Sequence, residues 1–337
     1  MKKILIAEVA VLAILVIVAM VIGFGNINGH PPQDQMSTGL VTDAPTDAPT
    51  DPPTEPPTQP PTEPPTEAPQ PTIPVGWTVA ARQYFVYDCD DETYLALSCD
   101  QYQLVYPASI TKLFSAYVAL QYLEPDTQIT AGDELDLIAS DSSIAYIQKG
   151  QRLTAAMLVE GMLLPSGNDA AYILATAAAR EASGNPNMTA TTAIAYFVDM
   201  MNATADRVGL KASHFSNPDG YHAEDHYTSS ADLIVIARLA LDNQIIARYV
   251  ATEKEDVRYA SGQTNTWYNT NALIQKDSAY YRYDAIGLKT GYTEAAGNCL
   301  LSAFRNNGKT YIVGVFGCKE KVDRFKDTVM LYDNLVD

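Results

Sequence analysis

Strand-like alternation occupies both ends of the stretch Trp77–Asp337, and the middle reads as helix. Arg82 to Cys89 alternates with period two, Asp90-Asp91 makes a turn, and Thr93 to Ser98 returns. Helical patterns follow over Leu153–Leu164, Asp169–Ala182, Thr189–Val208 and Ser229–Leu241. After Arg258 the period shortens again, at Thr266–Tyr268, Ala285–Lys289, Asn298–Arg305 and Tyr311–Cys318, before a closing helix over Lys321–Leu335. Few arrangements satisfy that order. The first and last strands must share one antiparallel sheet, and the helices between them form an inserted lobe packed beside it. The expected class is α/β, of the α+β sandwich kind, with a cleft where sheet and lobe meet.

Two segments precede this part. Met1 to Phe24 carries Lys2 and Lys3, then an apolar run from Ile4 to Phe24 broken only by Glu8. As a helix that run spans roughly 32 Å, enough to cross a bilayer core. It is longer than the h-region of a signal peptide, and Gly23-Phe24-Gly25-Asn26-Ile27 offers no clear cleavage site. The reading is an uncleaved single-pass membrane anchor over residues 1–24, with the lysines inside and the rest of the chain outside the cell. From Asp43 to Gln70 a four-residue unit then recurs: DAPT, DAPT, DPPT, EPPT, QPPT, EPPT, EAPQ. Proline at that density excludes helix and sheet and favours polyproline II, reaching about 85–90 Å when extended. Its acids repel one another, and no Lys or Arg lies between Lys3 and Arg82. Residues 25–76 therefore read as a disordered stalk that carries a folded domain, residues 77–337, away from the membrane.

The formal net charge of −18 argues against nucleic acid as a partner and against adsorption to an anionic membrane surface. Cys89, Cys99, Cys299 and Cys318 follow no metal-ligand spacing. In a hairpin closed by Asn306-Asn307-Gly308, Cys299 and Cys318 would lie on one face and nearly opposite; the pairing stays open.

Chemistry concentrates at Pro107-Ala108-Ser109-Ile110-Thr111-Lys112, which opens an apolar helical run through Leu123. Ser109 and Lys112 are three apart, so on a helix they share a face. A serine hydroxyl needs a base to become a nucleophile, and a lysine serves only when its pKa is lowered. Pro107 suits a helix first turn, and the helix dipole there favours developing negative charge at Ser109. Two further motifs flank the helical insert. Pro165-Ser166-Gly167-Asn168-Asp169 places a hydroxyl and an amide at a loop mouth, and Lys289-Thr290-Gly291 ends a predicted strand with a cation, a hydroxyl and an unobstructed backbone. The same tripeptide at Ser183-Gly184-Asn185 reads only as a helix stop at Gly184.

In the order SxxK, SxN, KTG, the three motifs resemble the signature of the penicillin-recognising serine enzymes. The neighbourhoods Tyr106–Leu113, Pro165–Ala171, Ser216–Gly220, His226–Leu233, Asn269–Leu273 and Gly287–Thr293 narrow the likeness to the D-alanyl-D-alanine carboxypeptidases of peptidase family S11, over about Ala80 to Leu335. The resemblance implies the β-lactamase and penicillin-binding-protein fold, and a peptidoglycan stem peptide ending in D-Ala-D-Ala as substrate. It also implies β-lactams as covalent inhibitors, and no metal or other cofactor. It assigns Ser109 as nucleophile, Lys112 as its base and Ser166 as proton relay. Asn168 would align the peptide amide, and Lys289 would hold Ser166. Ser109 and Tyr292 would offer backbone N–H groups to the oxyanion. Thr290, beside Gly291, would bind the terminal carboxylate with Arg324, for which Lys319 and Lys321 are alternatives. Many of these enzymes continue into a β-rich second domain and a C-terminal amphipathic helix, which the N-terminal anchor and stalk would replace here.

Three other readings compete. A class A-like β-lactamase needs an extra glutamate base, and the E-x-x-x-N match Glu181–Asn185 falls too near Ser166 for it. A metallohydrolase is raised by His222 and His226 at i, i+4, but Pro218 and Gly220 make that stretch a loop. A non-catalytic wall-binding module is disfavoured because every expected polar residue is present.

Overall fold

The computed structural model describes residues 77–336. The anchor and stalk read from residues 1–24 and 25–76 lie outside the described residues. Among the described residues no helix is long and apolar enough to cross a membrane.

Strands β1 (Gln83–Asp88) and β2 (Thr93–Leu97) form the first hairpin, and β3 (Leu104–Val105) leads to a single 3-10 turn, Ala108–Ile110. Helix α1 (Thr111–Ala119) continues from that turn. A long connection carries β4 (Gln128–Thr130) and β5 (Arg152–Thr154) into α2 (Ala155–Leu163), α3 (Asn168–Ser183) and α4 (Ala190–Val208). After the 209–227 loop come β6 (Thr228–Ser229), α5 (Ser230–Asp242) and α6 (Gln244–Val250). The chain closes with β7 (Lys254–Arg258), β8 (Thr264–Tyr268), β9 (Ala285–Thr293), β10 (Gly297–Asn306), β11 (Lys309–Cys318) and α7 (Asp323–Leu335).

The main sheet has the order β2-β1-β11-β10-β9, all antiparallel, so the two ends of the folded part do share one sheet. Alternation along β10 sorts its residues by face. Cys299, Leu301 and Ala303 point into the core shared with the helices, whereas Leu300 and Phe304 join Phe325, Leu331 and Tyr332 of α7. Three layers result: α7, the sheet, and the helical lobe. At the centre of the lobe, α1 touches each of α2, α3, α4, α5 and α6. A helix surrounded in this way has to be apolar nearly all round, and all of α1 but Tyr117 is buried.

Local chemistry sets the helix ends. Thr154, Thr189 and Ser229 accept backbone N–H groups at the starts of α2, α4 and α5. Gly184, at φ +65°, ends α3 as its sequence context suggested.

Two expectations change. Strand β9 does not stop at Lys289 but continues to Thr293, so Lys289-Thr290-Gly291 lies within the edge strand. The cysteine geometry also differs, because the β10–β11 register shifts between Asn298 and Leu300 and Gly317 adopts φ +76°. That one-residue bulge turns Cys318 toward α7 while Cys299 faces the helical lobe, and all four cysteines are free thiols. Helix α6 and strand β7 carried no clear periodicity and were legible only in the fold.

The Phe304 ring stacks on Tyr332 with centroids 3.8 Å apart, joining sheet to α7. Phe304→Ala should cost about 3–5 kcal/mol of stability, measured as a lower urea midpoint with an unchanged m-value.

Candidate active site

Ser109 lies in the 3-10 turn that precedes α1, one residue after Ala108, whose φ is +49°. A non-glycine residue in that region stores about 1–2 kcal/mol of strain. Two glycines allow the surroundings to approach so closely. Gly220 is at φ +82°, and a Cβ built on it would stand 1.8 Å from Ala108 O. On Gly291 a Cβ would lie 2.8 Å from Pro107 O and 3.3 Å from Ser109 N. The Ser109 turn is thus clasped between the 209–227 loop and the edge strand β9.

One helical turn on, Lys112 is fully buried. Its Nζ donates to Ser109 Oγ at 2.8 Å and to Asp219 O at 2.7 Å. Burial pulls its pKa down to about 8, opposed by the carboxylates of Asp219 and Asp169. Asp219 is itself buried, which raises its pKa against the counter-pull of Lys112. Lys289 is buried too, and its pKa lies well below the usual lysine range because of burial and then the charges of Lys112 and Arg324. The loop behind Lys112 is anchored on α1 at several points. Ser115 Oγ donates to Pro218 O at 2.6 Å, and Thr111 Oγ1 meets His226 Nε2 at 2.8 Å. His226 Nδ1 accepts from Ser216 N, so Nε2 carries the proton. With both ring nitrogens engaged inside the protein, His226 has no lone pair to offer a metal, which removes the footing of the metallohydrolase reading.

The opposite wall comes from the start of α3 and the connection between β4 and β5. Ser166 has φ +66°, just before Asn168 opens α3. Asn168 Nδ2 donates to Ser142 Oγ at 2.9 Å, and Asn168 N donates to Ser143 O at 2.8 Å. Asp169 accepts from Ala145 N at 2.7 Å and Ile147 N at 2.9 Å, and Trp267 Nε1 holds Ala145 O. This clamp sets the position of Ser142 and Ser143.

Strand β9 supplies the third wall. Thr290 Oγ1 lies 2.6 Å from Thr270 Oγ1. Lys289 Nζ donates to Thr290 O at 3.1 Å; the expected direct bond from Lys289 to Ser166 is not formed, because the ammonium is turned along its own strand. Arg324 is buried at the start of α7, donates Nη1 to Gly291 O at 3.1 Å, and leaves a buried Nε without a partner. Burial lowers its pKa to about 10, which keeps it cationic near neutral pH. A cleft of about 850 Å³ exposes Ser109, Ser166, Asn168, Thr290, Gly291 and Tyr292 together, with Arg324, Lys319 and Lys321 at one end. Lys112 and Lys289 lie beneath it.

The fold therefore gathers the candidate residues around one cleft, with Lys112 and Lys289 buried and not part of its lining. Sequence reasoning missed Ser142, Asp219 and Thr270. The last two lie inside the stretches Ser216–Gly220 and Asn269–Leu273 that carry the family likeness, while Ser142 had no signal of its own.

A half-buried serine bonded to a fully buried lysine, opening on a cleft between an antiparallel sheet and a helical lobe, is the arrangement of the penicillin-recognising fold. A sequence model described as D-alanyl-D-alanine carboxypeptidase, peptidase S11, matches residues 66–320, and the chain belongs to that family. A D-alanyl-D-alanine carboxypeptidase of Streptomyces sp. is 33% identical over 213 residues, 60% of this chain and 69% of the relative. D-alanyl-D-alanine carboxypeptidase DacF of Bacillus subtilis is 28% identical over 231 residues, 67% of this chain but only 55% of its own length. The crystal structure of a Streptomyces DD-transpeptidase superposes with TM-score 0.68 at 30% identity, covering 76% of this chain and 97% of that one. Penicillin-binding protein D2 of Listeria monocytogenes, in its ampicillin-bound form, shares the fold at TM-score 0.62 and 22% identity.

Gly220→Ala should push the 209–227 loop off the Ser109 turn. We expect a loss of about 2 kcal/mol in stability and at least a tenfold slower covalent labelling by fluorescent penicillin, read by thermal melting and in-gel fluorescence.

Proposed function

We propose that this chain is a serine-type D-alanyl-D-alanine carboxypeptidase that removes the terminal D-alanine from peptidoglycan stem pentapeptides through an acyl-enzyme. The observation that carries the reading is the 2.8 Å contact between Ser109 Oγ and the fully buried Nζ of Lys112. Burial lowers the cost of holding that amine neutral, and a neutral amine at hydrogen-bond distance can take the Ser109 proton.

Ser109 Oγ then attacks the carbonyl carbon between the two D-alanines, and the proton moves to Lys112 Nζ. The tetrahedral oxyanion lies between the backbone N–H groups of Ser109 and Tyr292, each worth about 3–4 kcal/mol in such sites. Collapse breaks the C–N bond, and Ser166 Oγ passes a proton from Lys112 to the departing amine. Water completes the cycle by attacking the Ser109 ester. Asn168 Nδ2 is held by Ser142 toward the substrate amide. Thr290 and Arg324 receive the terminal carboxylate, and the position of Arg324 in the cleft wall with Thr290 and Gly291 supports that role. Lys289 lies buried beneath the cleft and donates to Thr290 O, which steadies the strand that carries Thr290. A β-lactam follows the same first steps and acylates Ser109; Glu181, on the last turn of α3, does not line the cleft. The same reading covers the outer segments: residues 1–24 anchor the protein in the membrane, and residues 25–76 hold the catalytic domain, residues 77–337, on the cell-wall side.

Two measurements test the roles. Ser109→Ala should abolish both D-alanine release and penicillin labelling with little change in melting temperature. Lys112→Arg should be equally inactive, since arginine stays protonated at any usable pH; rapid labelling of this variant would remove Lys112 as the base. The wild-type acylation rate should rise with pH and level off above about 8, as Lys112 loses its proton. A flat profile between pH 6 and 9, over roughly three tenfold steps in proton activity, would contradict the assignment.

A further inference from the structure

A second groove of about 400 Å³ opens beside the cleft, and Ala295 borders both. Its walls include Arg82, Leu104, Tyr106 and Phe316. Leu104 is exposed on β3, and the Arg82 side chain reaches over the β9–β10 turn, where Nη2 donates to Ala295 O at 3.1 Å and Ala296 O at 3.2 Å. Among the described residues Arg82 has no carboxylate within ion-pair distance, in a chain whose formal net charge is −18. The two spaces meet at Ala295 in the turn after Thr293, and His222 of the cleft packs edge to face on Tyr106 of the groove at 4.9 Å.

The direction of the substrate follows from the roles proposed above, and the inference rests on that reading. The terminal carboxylate lies at Thr290 and Arg324, and the scissile carbonyl at Tyr292. Strand β9 is the sheet's free edge, so a peptide added to it antiparallel runs toward Thr293 and Ala295. At about 3.4 Å per residue, three residues upstream of the acyl D-alanine span about 10 Å, which carries them past the end of β9 at Thr293 and over the 294–296 turn, where Ala295 borders the groove. A stem peptide carries a free carboxylate on that upstream half, followed by a small apolar residue.

We propose that the groove beside Arg82 is a second subsite that holds the N-terminal half of the acyl-donor stem peptide, with its free carboxylate on Arg82 and its apolar residue against Leu104. Recognition there selects a full stem peptide over a truncated one. The terminal D-alanines alone reach only the first cleft.

The test uses the full chain with two donors, diacetyl-Lys-D-Ala-D-Ala and the pentapeptide L-Ala-γ-D-Glu-L-Lys-D-Ala-D-Ala, comparing kcat/KM. The wild type should prefer the pentapeptide about tenfold, the size of one charge-assisted hydrogen bond. Arg82→Ala and, independently, Leu104→Glu should each bring the ratio close to one. Both should leave the short donor and the penicillin-labelling rate unchanged, and Arg82→Lys should restore part of the preference. A wild-type ratio near one, a ratio that survives both substitutions, or equal loss on both donors would overturn the subsite. Normal turnover of the short donor in those cases leaves the carboxypeptidase reading standing; absence of turnover and of labelling in the wild type would remove both.

Discussion

Much of this structure depends on keeping one lysine amine out of water. Lys112 lies on the most enclosed helix of the lobe, and its partners are a serine hydroxyl and a backbone carbonyl, not a carboxylate in contact. A direct salt bridge would stabilise the protonated form and raise the pKa. A carbonyl satisfies one N–H without fixing the charge, so burial decides the outcome and the pKa falls to about 8. Asp219 and Asp169 act in the opposite direction, which keeps the amine basic enough to accept a proton.

Holding that geometry concentrates backbone strain around the site. Ala108, Ser166 and Leu288 all have positive φ, and each adjoins or belongs to one of the three motifs. The contacts that impose these conformations come from elsewhere in the chain: the 209–227 loop presses on Ala108 through Gly220, and β9 closes on Ser109 through Gly291. Ser109 is thereby positioned by two segments distant from it in sequence, and its turn cannot relax without separating them.

The edge strand joins chemistry to recognition. Because β9 runs on past Gly291 to Thr293, the free sheet edge extends along the cleft past Tyr292 before the chain turns at 294–296. Reading Gly291 as a strand end missed this. The glycine is there for close approach to Pro107 and Ser109, and it leaves the strand intact.

The order of periodicities was enough to place the two ends of the folded part in one sheet with a helical lobe between them, because alternation and helical spacing report directly on which faces are buried. The three motifs were legible for a similar reason: a nucleophile, its base and their polar partners must be particular residue types at short separations. Other features had no local signature. The Cys299–Cys318 relation turned on one bulge at Gly317, and a one-residue slip exchanges the faces of a strand. The partners Ser142, Asp219 and Thr270 are ordinary polar residues until folding places them beside Asn168, Lys112 and Thr290. The sequence by itself determined which residues could do the chemistry and how the chain is layered. Tertiary structure alone decided the protonation balance of Lys112 and the course of the cleft, since desolvation and mutual distance arise only when separate segments pack together.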